Sequence, residues 1–483
     1  MPRKVAIIGA GLGGISAAAS LAAAGYEVEI YEKNDHVGGK LNLLQKNGFS
    51  FDLGPSILTL PHIFRALFER AGKKLEDYVS IRPLRPHWRN FFEDGTVMDL
   101  SPENVSPELD KYLRYSERLY NFAERGYFRR GLDKLWPTVK FYGPVSLLRE
   151  ADVFSTMHER TAEYISDPHL REIMDFFIKY VGSSAYNAPA ILGLLAHVQF
   201  KYDLWYVDGG LYNLAKGLQK LLRDLGVKIS LGSEVIKMEK SGDKISGLRL
   251  ASGEIIRADL YVSDMEVIPA YRKLTEEPAE FLKRYEKKFE PACSGLVLHL
   301  GVDREYPQLA HHNFFFSKEP KEHFDSVFNK KVLPEDPTIY LVAPARTDKT
   351  QAPPGCENIK ILPHIPHLQD KRFTAEEYAA LRERVLSKLE RMGLTDLRRH
   401  IITEDMWTPE DIEKRYYSNR GAIYGVVSDR RKNLGFKAPK QSEMYENLYF
   451  VGGSVNPGGG MPMAVLSGQQ VGDKIVAKYG GGK

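Results

Sequence analysis

Cysteine is almost missing from this sequence. Cys293 and Cys356 are the only two in 483 residues, and they stand in neither a CxxC nor a metal-ligand spacing. A disulfide scaffold and a cysteine-built zinc site are therefore excluded, and the chain suits a reducing compartment. An excess of one charge is lacking too. The 67 Lys and Arg against 63 Asp and Glu leave a net of +4, too little for a dedicated nucleic-acid binder. No run reaches the ~20 uncharged apolar residues that span a bilayer. One stretch imitates a secretory signal: Arg3 and Lys4, then Ala- and Gly-rich residues to Gly25. It carries Gly9, Gly11, Gly13 and Gly14 where a signal needs leucines. The expectation is a protein of the cytosol or of the cytoplasmic face of the cell membrane, without metal and without nucleic acid, its oligomeric state open.

Aromatics are plentiful, with 26 Tyr and 23 Phe, and imply large apolar contact surfaces. The most informative stretch is the first forty residues. "KVAII" (4–8) reads as a buried strand, runs into Gly9-Ala10-Gly11-Leu12-Gly13-Gly14, and is followed by a helical pattern that ends at Gly25. A second strand pattern, "YEVEIYE", closes at Glu32. Strand, G-x-G-x-x-G, helix, strand and acid make a dinucleotide site. Gly9 serves the tight turn, Gly11 the approach of a pyrophosphate, and Gly14 the packing of helix on strand. Free N–H groups at the helix start favour the phosphates. Glu32 can accept from both ribose hydroxyls and would repel a 2′-phosphate. A second glycine pair, Gly38-Gly39-Lys40, and the turn Gly54-Pro55-Ser56 supply more close backbone than NAD requires, which favours FAD. Lys40 is either a phosphate or flavin-edge contact or a solvated surface lysine.

Residues 7–40 resemble the flavin-containing amine oxidase and phytoene desaturase superfamily. The resemblance continues through "FDLGPSILTLPHIF", "KYVGSSAYNAPA", "LWYVDGG", "WTPEDIEKRYYSNRGAIYGVV" and "VGGSVNPGGGMPM" (451–463). It implies an α/β fold: a discontinuous Rossmann-like FAD-binding domain from residues 1–80, 205–265 and 440–480, with an inserted α+β substrate domain from 81–204 and 266–439. It also implies that the glycine loop at 452–462 lies against the flavin. The cofactor contacts it suggests are Ala10, Gly13, Lys33, Gly39, Lys40, Gly54, Pro55, Ser56, Val235, Gly453, Pro462 and Met463, beside the turn glycines and Glu32. Pro462 suits the first turn of the helix that follows.

Within this family the chain resembles the C30 carotenoid oxygenase branch. Desaturases of the family carry His where this loop has Asn456. The branch implies FAD-dependent oxidation of the terminal methyl of a linear C30 carotenoid to an aldehyde, with a carboxylate as the further stage and O₂ or water as the oxygen source. The alternatives are a C30 desaturase acting on mid-chain bonds, a prenyl carrier lacking a complete FAD site, and a hydrophilic amine oxidase. Candidate catalytic groups are His311, Asn456 and Arg420, with Tyr416, Tyr417 and Tyr424 beside the last. Residues 105–150 interleave Tyr112, Tyr115, Tyr120, Phe122, Tyr127, Phe128 and Trp136 with six basic residues. That pattern suits either a helix lying on an anionic membrane surface or a packed lobe with snorkelling arginines.

Overall fold

The computed structural model describes residues 3–152 and 154–482. Two sheets organise it. The first gathers, among the described residues, five parallel strands in the order Leu448–Phe450, Leu260–Ser263, Lys4–Ile8, Glu27–Tyr31 and Lys228–Ser230. Register pairs Ile8 with Tyr31 on one side and with Ser263 on the other. Parallel strands must be covered on both faces, and these strands are correspondingly apolar: Val5, Ile7, Ile30 and Val262 are all but inaccessible. The helix Leu12–Ala23 crosses between the first two strands, and Tyr212–Asp224 packs beside it.

The helix Met461–Tyr479 lies along Leu12–Ala23 in the most extensive helix pair among the described residues. Small residues make this possible. A Cβ at Gly468 would stand 2.5 Å from the carbonyl oxygen of Gly13, and Ser16 Oγ donates to the Val465 carbonyl at 2.6 Å. An antiparallel ribbon, Val235–Ser241, Lys244–Leu250 and Ile255–Ile256, flanks the parallel sheet. The segment after 265 does not leave this half at once, as the expected boundary there implied. The helices Val267–Lys273 and Ala279–Lys288 share one core with Ala6, Ile8, Val235, Leu248 and Phe450, because Ile268, Tyr271 and Tyr285 point into it.

The second sheet is mixed and eight-stranded. Its main path runs Ile401–Trp407, Val297–Val302, Glu357–Ile365, Ile339–Val342, His312–Phe315, Trp88–Phe91, Val97–Leu100. Alternation divides it cleanly. Leu298, Leu300, Leu341, Ile359 and Ile361 face the helix Ala375–Arg391, which starts with a Thr374–Glu377 capping box. Val297, Leu362, Tyr340, Val342 and Phe314 face the other way, into the core shared with the flavin half and a helical lobe.

That lobe spans Pro107–Ala123 to Leu194–Tyr202. Of the aromatics read as surface candidates, Tyr112, Tyr115, Tyr120 and Phe122 are buried. Their helix packs on Leu194–Tyr202 and needs them as core. The exposed apolar groups are instead Leu135, Trp136, Phe141, Val145, Leu148 and Phe154. No helix among the described residues is long and apolar enough to cross a membrane.

Candidate active site

A cavity of about 300 Å³ runs between the carboxyl ends of the parallel strands and the large sheet, the position where open α/β sheets bind nucleotides. One end is lined by Glu32, Lys33, Asn34, Glu234, Val235 and Tyr417. The middle is lined by Gly11, Gly13, Asp264 and Gly452, and the other end by Gly54, Pro55, Lys360, Leu362, Tyr424, Gly459 and Met461.

Glu32 ends the second strand almost fully buried. Its carboxylate accepts from the Ala10 amide at 2.7 Å, from the Asn34 amide at 2.8 Å and from Asn34 Nδ2 at 2.9 Å. The lone pairs left over face the cavity, as a ribose partner requires. Lys33 lies with Nζ 4.2 Å above the Tyr417 ring, and burial lowers its pKa.

At the turn, a Cβ on Gly11 would clash with Asp264 Oδ2, while Gly14 sits a layer deeper against the Gly9 carbonyl. Asp264 immediately follows the strand Leu260–Ser263. Burial first, and then the nearby Glu32 charge, push it up to about 7, against amide hydrogen bonds from Gly14 and Gly11 that pull it down.

At the far end Lys360 is fully enclosed. It donates to the Asp52 carbonyl at 2.9 Å, to Ser56 Oγ at 3.1 Å and to the Gly54 carbonyl, so it pins the Gly54-Pro55-Ser56 turn. Burial lowers its pKa to about 8. Lys40 is no free phosphate ligand. Nζ pairs with Glu266 at 3.2 Å and donates to Ser418 Oγ at 3.1 Å and to the Ala422 carbonyl at 3.0 Å, tying the 418–422 segment to the glycine pair. A side chain at Gly459 would strike the Tyr424 carbonyl.

The cavity therefore brings together Gly9, Gly11, Gly13, Glu32, Lys33, Gly39, Lys40, Gly54, Pro55, Val235 and Gly453. Ala10 reaches it through Glu32, and Ser56 through Lys360. Pro462 and Met463 stand in the first turn of the last helix, but its walls there are Gly460, Met461 and Ala464.

The three catalytic candidates lie off this cavity. His311 borders a smaller void with Tyr206 and Phe51, its Nδ1 2.8 Å from Thr347 Oγ1, and burial drives its pKa to about 3. Asn456 is spent on structure: Oδ1 accepts from Tyr127 Oη at 2.5 Å and from the Lys437 amide at 3.2 Å, while Nδ2 donates to the Lys437 carbonyl at 3.0 Å. Arg420 turns outward to the Leu368 carbonyl at 3.3 Å and to Asp370 at 3.1 Å. Asp264, Lys360, Leu362 and Trp407 were not foreseen. Asp264 alone had a signal, as the first residue beyond a return strand. Among the described residues no group of three His, Cys, Asp or Glu could hold a metal ion.

A dinucleotide turn at the switch point of a parallel sheet, an acid at the second strand end and a long glycine-lined cavity define an FAD-dependent oxidoreductase. The side-chain-free lining at Gly9, Gly11, Gly13, Gly452, Gly453 and Gly459, with the Glu32 carboxylate at one end, is the observation that fits the cofactor to these residues. The match to known proteins is specific. Residues 12–476 fit the family of flavin-containing amine oxidoreductases, and the chain belongs to it.

It is 60% identical to 4,4′-diapolycopene oxygenase of a Methylomonas species over 98% of both chains. It is 54% identical to 4,4′-diaponeurosporene oxygenase of Staphylococcus aureus over 99% of both. Among solved structures, a cofactor-binding mutant of putrescine oxidase superposes with a TM-score of 0.67 at 14% identity, covering 99% of each chain. A fatty acid isomerase from P. acnes superposes at 0.65 and 17% identity, covering 99% of this chain and 98% of the other. These two establish the fold.

Proposed function

We propose that this enzyme oxidises the terminal methyl group of a linear C30 carotenoid to the aldehyde, working from the cytoplasmic surface of the cell membrane. The full-length similarity to two proteins named as oxygenases of such carotenoids carries the reading. Bound FAD would supply a hydride acceptor. The residues of this chain hold and enclose the reacting end. Leu362, Val297, Trp407 and Met461 give the far end of the cavity an apolar wall, which keeps water from a developing polyene cation. The last helix begins at Met461 with its free amides toward the same end, which favours added electron density there by about 0.3–2 kcal/mol.

The membrane part of the reading is supported by one exposed patch. Trp136 is 76% exposed, Phe154 65% and Leu148 58%, on or beside the short helices Leu135–Tyr142 and Pro144–Glu150. Lys134, Lys140, Arg129 and Arg149 belong to the same segment, Lys134 paired with Glu443 and Arg129 with Glu124. Exposed apolar groups in a segment that carries several cations suit a bilayer surface, the phase in which a C30 hydrocarbon dissolves. The surface is peripheral, not spanning.

The test is incubation of the holoenzyme with 4,4′-diaponeurosporene in liposomes under air, followed by mass analysis. A product with one oxygen gained and two hydrogens lost supports the reading, and loss of two hydrogens alone would make the protein a desaturase. For the surface, Trp136→Glu with Leu148→Glu should weaken binding to anionic vesicles by at least about a hundred-fold, since each buried apolar side chain is worth about 1.5–3 kcal/mol. Unchanged vesicle binding would remove the patch from the proposal.

A further inference from the structure

Lys179 is the one buried lysine whose amine is left with no hydrogen-bond partner among the described residues. It belongs to the short helical turn Phe177–Val181, and its residue is 3% exposed. Aromatic rings surround the amine instead of acceptors. Nζ stands 3.7 Å from the centre of the Phe314 ring, 3.9 Å from Trp88, 4.3 Å from Tyr340 and 5.2 Å from Tyr180. Two histidines of the same region, His312 and His364, each also leave Nε2 without a partner.

Buried polar atoms are almost always paired, so these three and Trp88 Nε1, four unpaired atoms together, call for a reason. Core packing alone does not give one, because methionine would fill the same space without an unpaired amine.

The cluster adjoins the reaction cavity. Tyr340 pairs in register with Leu362, and His364 lies 5.9 Å from Tyr424 between ring centres. The Tyr180 carbonyl is 3.7 Å from where a Cβ of Gly460 would stand. Leu362, Tyr424 and Gly460 all line the cavity. The rings that enclose the amine are thus neighbours of the cavity wall, with Leu362, Tyr424 and Gly460 between this cluster and the cavity.

Oxidation of a methyl group to an aldehyde passes through an alcohol, and the two stages make different demands. A methyl needs only an apolar wall. A hydroxymethyl needs a hydrogen-bond partner, or its burial is penalised and it leaves. We propose that Lys179 is that partner: its amine accepts the hydroxyl hydrogen of the alcohol, holds it for the second oxidation and takes the proton. In that step R–CH₂OH would give up a hydride, for which bound FAD would be the acceptor, and the hydroxyl proton, which passes to Nζ, leaving R–CHO. Burial lowers the proton affinity of this amine well below its ordinary value, against the cation–π attraction of the ring faces around it, and no carboxylate among the described residues contributes to its shift. It is thus free to accept.

The inference rests on the terminal-oxidation reading, and the assay separates the two. Native holoenzyme, Lys179→Met and Lys179→Gln are compared in liposomes carrying the carotenoid, with alcohol and aldehyde quantified by mass. Flavin content and Tm are measured on the same preparations. The expected result is methyl consumption within about two-fold of native, an alcohol-to-aldehyde ratio raised at least about ten-fold, full flavin, and for Lys179→Met a Tm no lower than native. Aldehyde as the dominant product of flavin-replete variants would overturn the role of Lys179 alone. A fall in total product and Tm with an unchanged ratio would reduce it to packing. Absence of any oxygenated product from the native protein would overturn the underlying reading, and this inference with it.

Discussion

Replacing Asp264 by Asn removes a carboxyl group that the fold holds against its natural ionisation. Its pKa rises from 3.8 to about 7, with burial as the leading cause. A raised carboxyl means that the folded protein binds the proton more tightly than the unfolded chain. Its contribution to stability is therefore complete below pH ~4 and is lost as pH climbs through ~7. Taking one pKa unit as 1.36 kcal/mol and integrating, the contribution shrinks by about 3 kcal/mol between about pH 5 and pH 8. Asn accepts and donates hydrogen bonds in the same place without titrating. Urea unfolding of the flavin-free native and Asp264→Asn proteins at the two pH values isolates this group, because every other titration is common to both. The native protein should fall behind the variant by about 3 kcal/mol more at the higher pH. Parallel pH dependences, within about 0.5 kcal/mol, would show that Asp264 is ordinarily ionised and that the enclosure described at the glycine turn is wrong.

Three further outcomes are expected. Gly459→Ala places a methyl group against the Tyr424 carbonyl, and flavin absorbance per polypeptide should fall at least about ten-fold, a loss of about 1.4 kcal/mol or more in affinity. Glu266→Gln leaves Lys40 with neutral partners only in a partly buried pair, so urea unfolding should show a loss of about 1 kcal/mol. His311→Asn should retain flavin and turn over within about two-fold of native. A pKa near 3 keeps this ring neutral across the working range, so the pH–rate profile between about pH 5 and 8 should not change; a displaced profile would return His311 to the chemistry.

The cofactor half was legible because its residues act locally. Gly9 to Gly14 and Glu32 belong to one βαβ unit, where spacing alone dictates geometry. The returning strand Leu448–Phe450 and its glycine loop were legible only through resemblance, since nothing in residues 448–463 says which strand they will join. The substrate side was opaque for a different reason. His311 and His312 alternate along one strand, and the strand's place in an eight-stranded sheet turns His312 toward Tyr340 and His311 toward Thr347. Neither outcome can be read from period two. Asn456 looked chemical because the desaturases of the family carry His at this place in the glycine loop, yet its amide is absorbed in holding residues 437 and 127. Lys179, flanked by Ile178 and Tyr180, carried no signal, because a buried lysine and a snorkelling one look alike in sequence.

The close pairing of the helices Leu12–Ala23 and Met461–Tyr479 has a consequence for how the enzyme is made. The phosphate-facing turn precedes its partners in the chain by a long way: one of its walls is Gly452, and the helix that braces it begins at Met461. More than four hundred residues separate the two, so the joining is a contact of very high sequence separation and forms late. A nascent or truncated chain presents the dinucleotide fingerprint without a closed site. Flavin capture thus reports that this distant contact has formed, and yellow colour in a purified preparation marks chains whose helix Met461–Tyr479 has docked.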